Sequence, residues 1–298
     1  MMNFRNYPNL TRVVIPNNIK LSTSEVSEAF REMTNLKICE FNHPDIIYMA
    51  YTYHNCYNLT GSPVCGDNVV SMTFAYFNCT NLTGSPVCGN NVVYMMYAYF
   101  NCYNLTGSPV CGDNVTSMPS TYHNCYNLTG SPVCGNNVTD MRNAYRNCYN
   151  LTGSPVCGDN VTSMRNAYHN CYNLTGSPVC GNNVTNMAYA YFNCYNLTGS
   201  PVCGNNVTNM TNAYYNCKNL SASTVYWYSK NISNVRNCFR SKNNSRRYNI
   251  HVPANSTTLS TIVNTTNTSS IVGSTISWTR SGNNYYNSEY NIYIYPTL

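Results

Sequence analysis

The chain has 298 residues and few charges, with 16 Lys and Arg against 10 Asp and Glu, a net +6 at neutral pH. So small and scattered a surplus argues against nucleic acid as a partner, and no stretch approaches the ~18 apolar residues of a membrane-spanning helix. Met1 to Pro8 lacks the apolar run of a secretory leader. The expected location is therefore a virion or other particle surface, or otherwise the cytoplasm.

Residues 1–48 are a degenerate form of a pattern that later becomes regular. Asn9-Leu10 and Asn35-Leu36 stand where later units have Asn58-Leu59. Val13-Val14-Ile15-Pro16 reads as a short strand ended by proline. Ser22-Thr23-Ser24-Glu25 has capping-box spacing and predicts a helix from about Ser24 to Met33. Glu25, Glu28, Glu32 and Glu40 fall here, as expected of a polar unit shielding the open end of a stack.

From Met49 to Asn209 a 23-residue unit runs seven times without insertion or deletion, and an eighth copy breaks off after Leu220. A fixed period of this length predicts a repeat architecture in which each unit packs on its neighbours. Met141, Ala144, Tyr145 and Cys148 lie at i, i+3, i+4 and i+7, the apolar stripe of a two-turn helix. Pro119, just after Met118, agrees with a helix starting near the Met. Asn-Leu-Thr-Gly-Ser-Pro-Val-Cys-Gly predicts a short extended segment with Leu59 and Val64 facing inward. Its proline costs each rung one ladder donor. Gly66-Asp67-Asn68 has turn chemistry, and Val69 returns the chain to the core.

The repeated Asn-Ala-Tyr-x-Asn-Cys-x-Asn-Leu-Thr, followed by Asn-Asn-Val-Thr-Asn-Met, resembles the BspA-like class of leucine-rich repeat, as does Asn9-Leu-Thr-Arg-Val-Val-Ile-Pro-Asn-Asn-Ile19. The resemblance covers about residues 7–220. It implies an α/β repeat solenoid, a right-handed coil with short parallel strands on one side and short helices on the other. It also implies adhesion and protein contact without catalysis. The chain departs from the class in its second Cys per unit and in Ser-Pro where an aliphatic residue is usual.

Variation between units falls off the stripe. It forms a band with an aromatic end at Phe74, Phe77, Tyr97 and Phe100, and a basic centre at Arg142, Arg146, Arg165 and His169, with His123 between. These nine residues are the candidate binding surface; drift on a solvated face is the alternative. A near-constant band of Tyr57, Tyr103, Tyr126, Tyr149, Tyr172 and Tyr195 reads as a structural stack, or else as a platform for a sugar or protein. Asn55, Asn58 and their equivalents predict amide ladders.

The 17 Cys form one series from Cys56 to Cys217 and another from Cys65 to Cys203, with Cys39 and Cys238 outside both. Buried thiols, disulfides between the series, and metal ligands are the three readings. The missing leader argues against disulfides. The absence of Cys-x-x-Cys and of His beside each pair argues against metal. No cofactor is expected.

After Leu220 the period fails. Lys230, Arg236, Arg240, Lys242, Arg246 and Arg247 form the densest basic stretch. Tyr248 to Pro253 alternates like a strand, Asn255 to about Asn264 reads as a capped short helix, and Ile271–Thr279 and Tyr290–Tyr295 read as two more strands. The organisation expected is N-terminal capping repeats (1–48), regular repeats (49–220) and a small α/β cap (221–298), the cap being a candidate surface for self-association. The function expected is a non-catalytic adhesion or interaction module, displayed on a virus-like (phage) particle and attaching to a protein or glycan on a cell or particle surface. The alternative is a structural decoration or fibre protein whose repeats set length.

Overall fold

The structure is a computed structural model and describes residues 3–21, 24–220, 224–240, 247–264, 271–274 and 276–297. The chain divides into two compact units, Met1–Leu151 and Thr152–Leu298. Both are repeat folds with few helices and strands, in which 23-residue turns of chain stack on one another.

In the first unit the inward residues are those of the stripe: Val69, Met72, Ala75, Tyr76, Cys79 and Leu82 are all buried. The backbone carrying them is not a helix. From Met72 to Cys79 the N–H groups alternate between two kinds of partner. Those of Met72, Phe74, Tyr76 and Asn78 donate to Tyr94, Met96, Ala98 and Phe100 of the next rung at 2.8–2.9 Å. Those of Ala75, Phe77 and Cys79 donate back to Met72, Phe74 and Tyr76, three residues earlier, at 2.9–3.3 Å. The segment is thus a run of tight turns stitched to its neighbour at every second residue.

Positive φ enforces this. Phe74 (φ 55°) and Asn78 (φ 59°) are each the third residue of a turn, as are Tyr97 (54°) and Asn101 (61°) one rung on. A type II turn demands positive φ at that position, and Asn is among the few side chains that accept it cheaply. No α-helix tolerates a left-handed residue every fourth position. The stripe at i, i+3, i+4 and i+7 is real, but consecutive turns produce it as well as a helix does. The helix expected from Ser24 to Met33 is the same turn spiral, with Glu28 and Glu32 at φ 61° and 63°. Ser22 and Thr23 of its capping box lie outside the described residues.

Pro119 fits for a related reason. In other rungs the N–H at its position bonds only a side chain two residues back, as Thr73 to Ser71 Oγ (3.4 Å) and Arg142 to Asp140 Oδ1 (3.0 Å). Proline there forfeits no bond between rungs.

Parallel pairing is sparse. Single bridges join Glu25, Tyr48, Ser71, Tyr94, Ser117 and Asp140, one residue before each Met or its equivalent. Among the described residues of this unit the strands are β1 (Arg12–Val14) and β2 (Ile38–Glu40), which pair in parallel. The Ser-Pro-Val-Cys segments form no strand here. Pro63 and its equivalents turn inward, while Val64, expected to face inward, and Val87 are half-buried and Val110 and Val133 are exposed. The missing ladder is replaced from the core. Tyr76 Oη donates to Val64 O at 2.6 Å and Tyr99 Oη to Val87 O at 2.7 Å. The hydroxyl of the buried aromatic therefore braces the proline segment, which a Phe could not do.

A buried stack runs through the unit: Phe4, Phe30, Tyr53, Tyr76, Tyr99, Tyr122 and Tyr145, with ring centroids 4.9–5.6 Å apart. At its N-terminal end Arg5 pairs with Glu28 and Glu32, Arg31 with the same two carboxylates, and Arg12 with Glu40.

The second unit repeats the scheme. Bridges join Ser163, Asn186, Asn209 and Asn234, and Tyr168, Tyr191, Tyr214 and Phe239 stack at 5.3–5.5 Å. It then departs into a six-stranded sheet of order β3-β4-β5-β8-β7-β6. The strands are β3 (Val202–Cys203), β4 (Thr224–Trp227), β5 (Tyr248–Val252), β6 (Thr279–Ser281), β7 (Asn284–Asn287) and β8 (Ile292–Pro296). The first four in spatial order are parallel; β7 and β6 are antiparallel. Helix α1 (Thr257–Val263) is the one α-helix among the described residues. Its cap Ser256 accepts from Leu259 N–H at 3.1 Å, as its sequence predicts. The strand expected over Ile271–Thr279 begins only at Thr279. Ile271 and Val272 are buried in a turn, and Thr275 lies outside the described residues. β4 and the β6–β7 hairpin were not expected.

Candidate functional site

In the first unit the aromatic end of the candidate band forms two adjacent columns, set by the turn geometry. The left-handed turn position carries Tyr51, Phe74 and Tyr97, with centroids 4.8 and 4.7 Å apart and planes within 11°. Three residues on, His54, Phe77 and Phe100 stack at 4.8 Å and 5–6°. The columns touch through tilted pairs, Phe74–Phe77 at 5.5 Å and Tyr97–Phe100 at 5.6 Å. All six residues are half-buried. The ring faces are covered by their column neighbours, so the surface offered outward is a ridge of ring edges.

His123 continues the second column, meeting Phe100 edge-on at 4.7 Å. Burial and then the positive charge of Arg146 push its imidazole down to about 4. His123 is therefore neutral at physiological pH. Arg146 is half-buried, its Nε enclosed without a hydrogen-bond partner. Arg142 is exposed, but it forks onto Asp140, with Nη2–Oδ2 at 2.7 Å and Nε at 3.0 Å from both carboxylate oxygens. The sequence gives no cue that Asp140, two residues away, neutralises it. Arg165 and His169 belong to the second unit. Arg165 is exposed, and His169 stacks on Phe192 at 4.6 Å, which stacks on Tyr215 at 4.6 Å. The structure thus gathers Phe74, Phe77, Tyr97, Phe100 and His123. Of the basic residues in the first unit, Arg142 is paired locally with Asp140 and Arg146 is half-buried.

The near-constant residues of each copy have scaffold partners. Tyr103, Tyr126 and Tyr149 stack at 5.0 and 4.9 Å with planes within 2°, and Tyr172 stacks on Tyr195 at 5.0 Å. Asn78, Asn101, Asn124 and Asn147 each donate Nδ2 to the Oδ1 of the Asn one rung before, at 2.7–2.8 Å. Asn193 and Asn216 do the same in the second unit at 2.9–3.0 Å.

The cysteines carry thiols rather than disulfides. The first series is fully buried, and its thiols donate to rung carbonyls, as Cys79 to Tyr53 O, Cys102 to Tyr76 O and Cys125 to Tyr99 O, all at 3.0 Å. Burial pushes the Cys56 thiol up to about 12 and Cys79 well above its ordinary value. The second series lies under the proline segments, where Gly89 N–H donates to Cys65 Sγ at 3.3 Å. In the second unit Cys180 differs: a hydrogen bond from the Cys203 thiol, joined by Gly204 N–H at 3.1 Å, lowers its pKa despite burial. Among the described residues, no three His, Cys, Asp or Glu side chains cluster to hold a metal ion. No helix there is long and apolar enough to cross a membrane.

The Kazal-type serine protease inhibitor domain family matches residues 75–99. Those residues span one repeat, and the two cysteines inside them, Cys79 and Cys88, are free. A search of curated proteins gives no match. Among solved structures, the crystal structure of a leucine rich cell surface protein from Faecalibacterium prausnitzii is similar at 15% identity and a TM-score of 0.32, over 85% of this chain and 92% of that one.

Proposed function

We propose that the chain is a non-catalytic interaction module. It is a leucine-rich-repeat type solenoid of stacked turns that contacts a partner protein through the paired aromatic columns of its first unit. One observation carries the reading. At the left-handed turn position, Tyr51, Phe74 and Tyr97 stand where Asn143, Asn166 and Asn212 stand in other copies, all with φ between 53° and 56°. A bulky aromatic in this region costs about 1–2 kcal/mol where Asn is tolerated. Aromatic side chains held there against backbone preference, and half-exposed, are a mark of selection for what they present. Because the columns cover their own ring faces, the ridge suits an apolar protein groove better than the stacking of a sugar. Display on a virus-like particle, with the columns serving attachment to a cell surface, is the setting we favour.

The test replaces Tyr51, Phe74 and Tyr97 together by Asn. The lost stacking, about 0.5–1.5 kcal/mol per pair, is offset by the relief of the left-handed strain, so the fold is expected to survive with a small shift in melting temperature. Attachment of the labelled protein to intact cells, or its co-purification with particles, should be lost. Unchanged attachment by a folded triple variant would leave the columns as scaffold and favour a structural fibre or decoration protein.

A further inference from the structure

We infer that the outer face of the C-terminal sheet is a binding site for an acidic saccharide, one carrying a carboxylate. The site is separate from the repeat columns and does not depend on their role. Strand register builds it. Ile250, Ile292 and Ile294 are fully buried and Val252 with them, so one face of β5 and β8 is core. The alternate residues face the other way. Asn249 pairs with Tyr293, His251 with Tyr295, Tyr286 with Tyr293, and Ser281 with Asn284. In-register neighbours share a face. This face therefore carries tyrosine, asparagine, serine and histidine with no aliphatic side chain among these residues.

Arg247, Ser281, Asn284, Tyr285, Tyr286, Tyr293 and Tyr295 line a cavity of about 360 Å³ there. That volume lies at the lower end of the range for small-molecule sites, about 300–1,000 Å³. Arg247 is held in place by three neutral contacts. Its guanidinium carbon lies 3.8 Å from the Tyr293 ring centroid, Nε donates to Asn249 Oδ1 at 2.9 Å, and Nη2 donates to Tyr295 Oη at 3.0 Å. Arg280 lies 5.9 Å from the Tyr285 ring and donates to Gly282 O. Among the described residues no carboxylate lies within ion-pair distance of either arginine.

A planar guanidinium that is oriented but not neutralised matches a carboxylate. The surrounding amide, hydroxyls and phenols match a ring bearing several hydroxyl groups, and tyrosine rings pack against its C–H edges. An acidic peptide would use the arginine alone and leave these neutral groups idle, which is why a saccharide is preferred.

The test titrates the full chain with methyl β-glucuronide, methyl β-glucoside and an acetylated tetraglutamate peptide, followed by calorimetry and ligand-observed NMR. Saturable glucuronide binding is expected, with the glucoside and the peptide at least tenfold weaker. Arg247→Met keeps the stem over Tyr293 and should weaken glucuronide roughly ten- to a hundredfold, to the level of glucoside. Asn284→Ala should weaken both sugars. Far-UV circular dichroism checks that each variant retains the sheet. The inference is overturned if no probe binds, if the two sugars bind equally, if tetraglutamate binds as tightly as the glucuronide, or if folded Arg247→Met binds unchanged.

Discussion

Asn101 separates the turn spiral from a helix by the sign of one comparison. It sits at φ 61°, its Nδ2 donates to Asn78 Oδ1 at 2.7 Å, and its Oδ1 accepts from Asn124 Nδ2 at 2.7 Å. Substitution by Gly or Ala removes both amide bonds, about 1 kcal/mol each. Gly adds about 0.5–1 kcal/mol of backbone entropy but meets no strain at positive φ. Ala adds about 1–2 kcal/mol for the left-handed conformation. The expected losses are about 3 kcal/mol for Asn101→Gly and between 3 and 4 kcal/mol, about 0.5–1 more, for Asn101→Ala. A helix reverses the order: there Ala is the best residue, and Gly is worse than Ala by about 1 kcal/mol.

Equilibrium urea unfolding of the two variants beside the parent, followed by circular dichroism, measures the difference, provided that the slope with urea is common to all three. An alanine variant as stable as the glycine variant, or more so, refutes the turn assignment and with it the account of why Asn recurs at this position.

Gly135→Ala should destabilise markedly, because a Cβ there would lie 2.6 Å from Gly112 O, whereas Gly61→Ala, at φ 84° with nothing within 4 Å, should cost only the backbone strain of about 1–2 kcal/mol; thermal melts of the pair check this. The thiols of Cys56 and Cys111 are raised from 9.0 to about 12 by burial. Their contribution is therefore intact below pH 9 and lost as pH climbs towards 12, at about 1.4 kcal/mol per pH unit per thiol; denaturant midpoints across that range should fall steeply, and a flat profile would contradict the burial. His123 is depressed from 6.5 to about 4, so its contribution is present above pH 6.5 and is lost as pH falls through 4. A His123→Phe variant should show a shallower acid limb in the same titration.

The inward residues were legible in the sequence, because burial in a 23-residue rung repeats with the rung: Val69, Met72, Ala75, Tyr76, Cys79 and Leu82 all face in. The backbone path was not. A stripe at three- and four-residue spacing belongs to helices and to chained turns alike. The deciding signal was the Asn fixed before each first-series Cys, a residue suited to the third place of a turn. The outward turn of Val110 and Val133 was hidden by treating Ser-Pro-Val as a strand, although proline had already removed the donor that a ladder needs. The aromatic end of the candidate band was readable because its residues vary together. The pairing of Arg142 with Asp140 was not, because it depends on a turn that the sequence pattern presented as a helix.

Stacking identical side chains about 4.8 Å apart accounts for the composition. Tyr on Tyr, Asn on Asn and thiol beneath carbonyl all gain from an identical neighbour. A carboxylate or ammonium at the same place would meet its own charge one rung away, and like charges directly opposed destabilise a ladder. The exposed turns in the first unit show the rule at work: Asp67 and Asp113 alternate with Asn90 and Asn136. Like charges are thereby kept two rungs apart, about 10 Å, beyond the physiological screening length of about 8 Å. The scarcity of charge is thus what an in-register stack of near-identical rungs requires. Charge gathers at the Arg5, Arg31, Glu28 and Glu32 network, before the regular repeat begins, and inside the repeat Arg142 is offset by Asp140 two residues away.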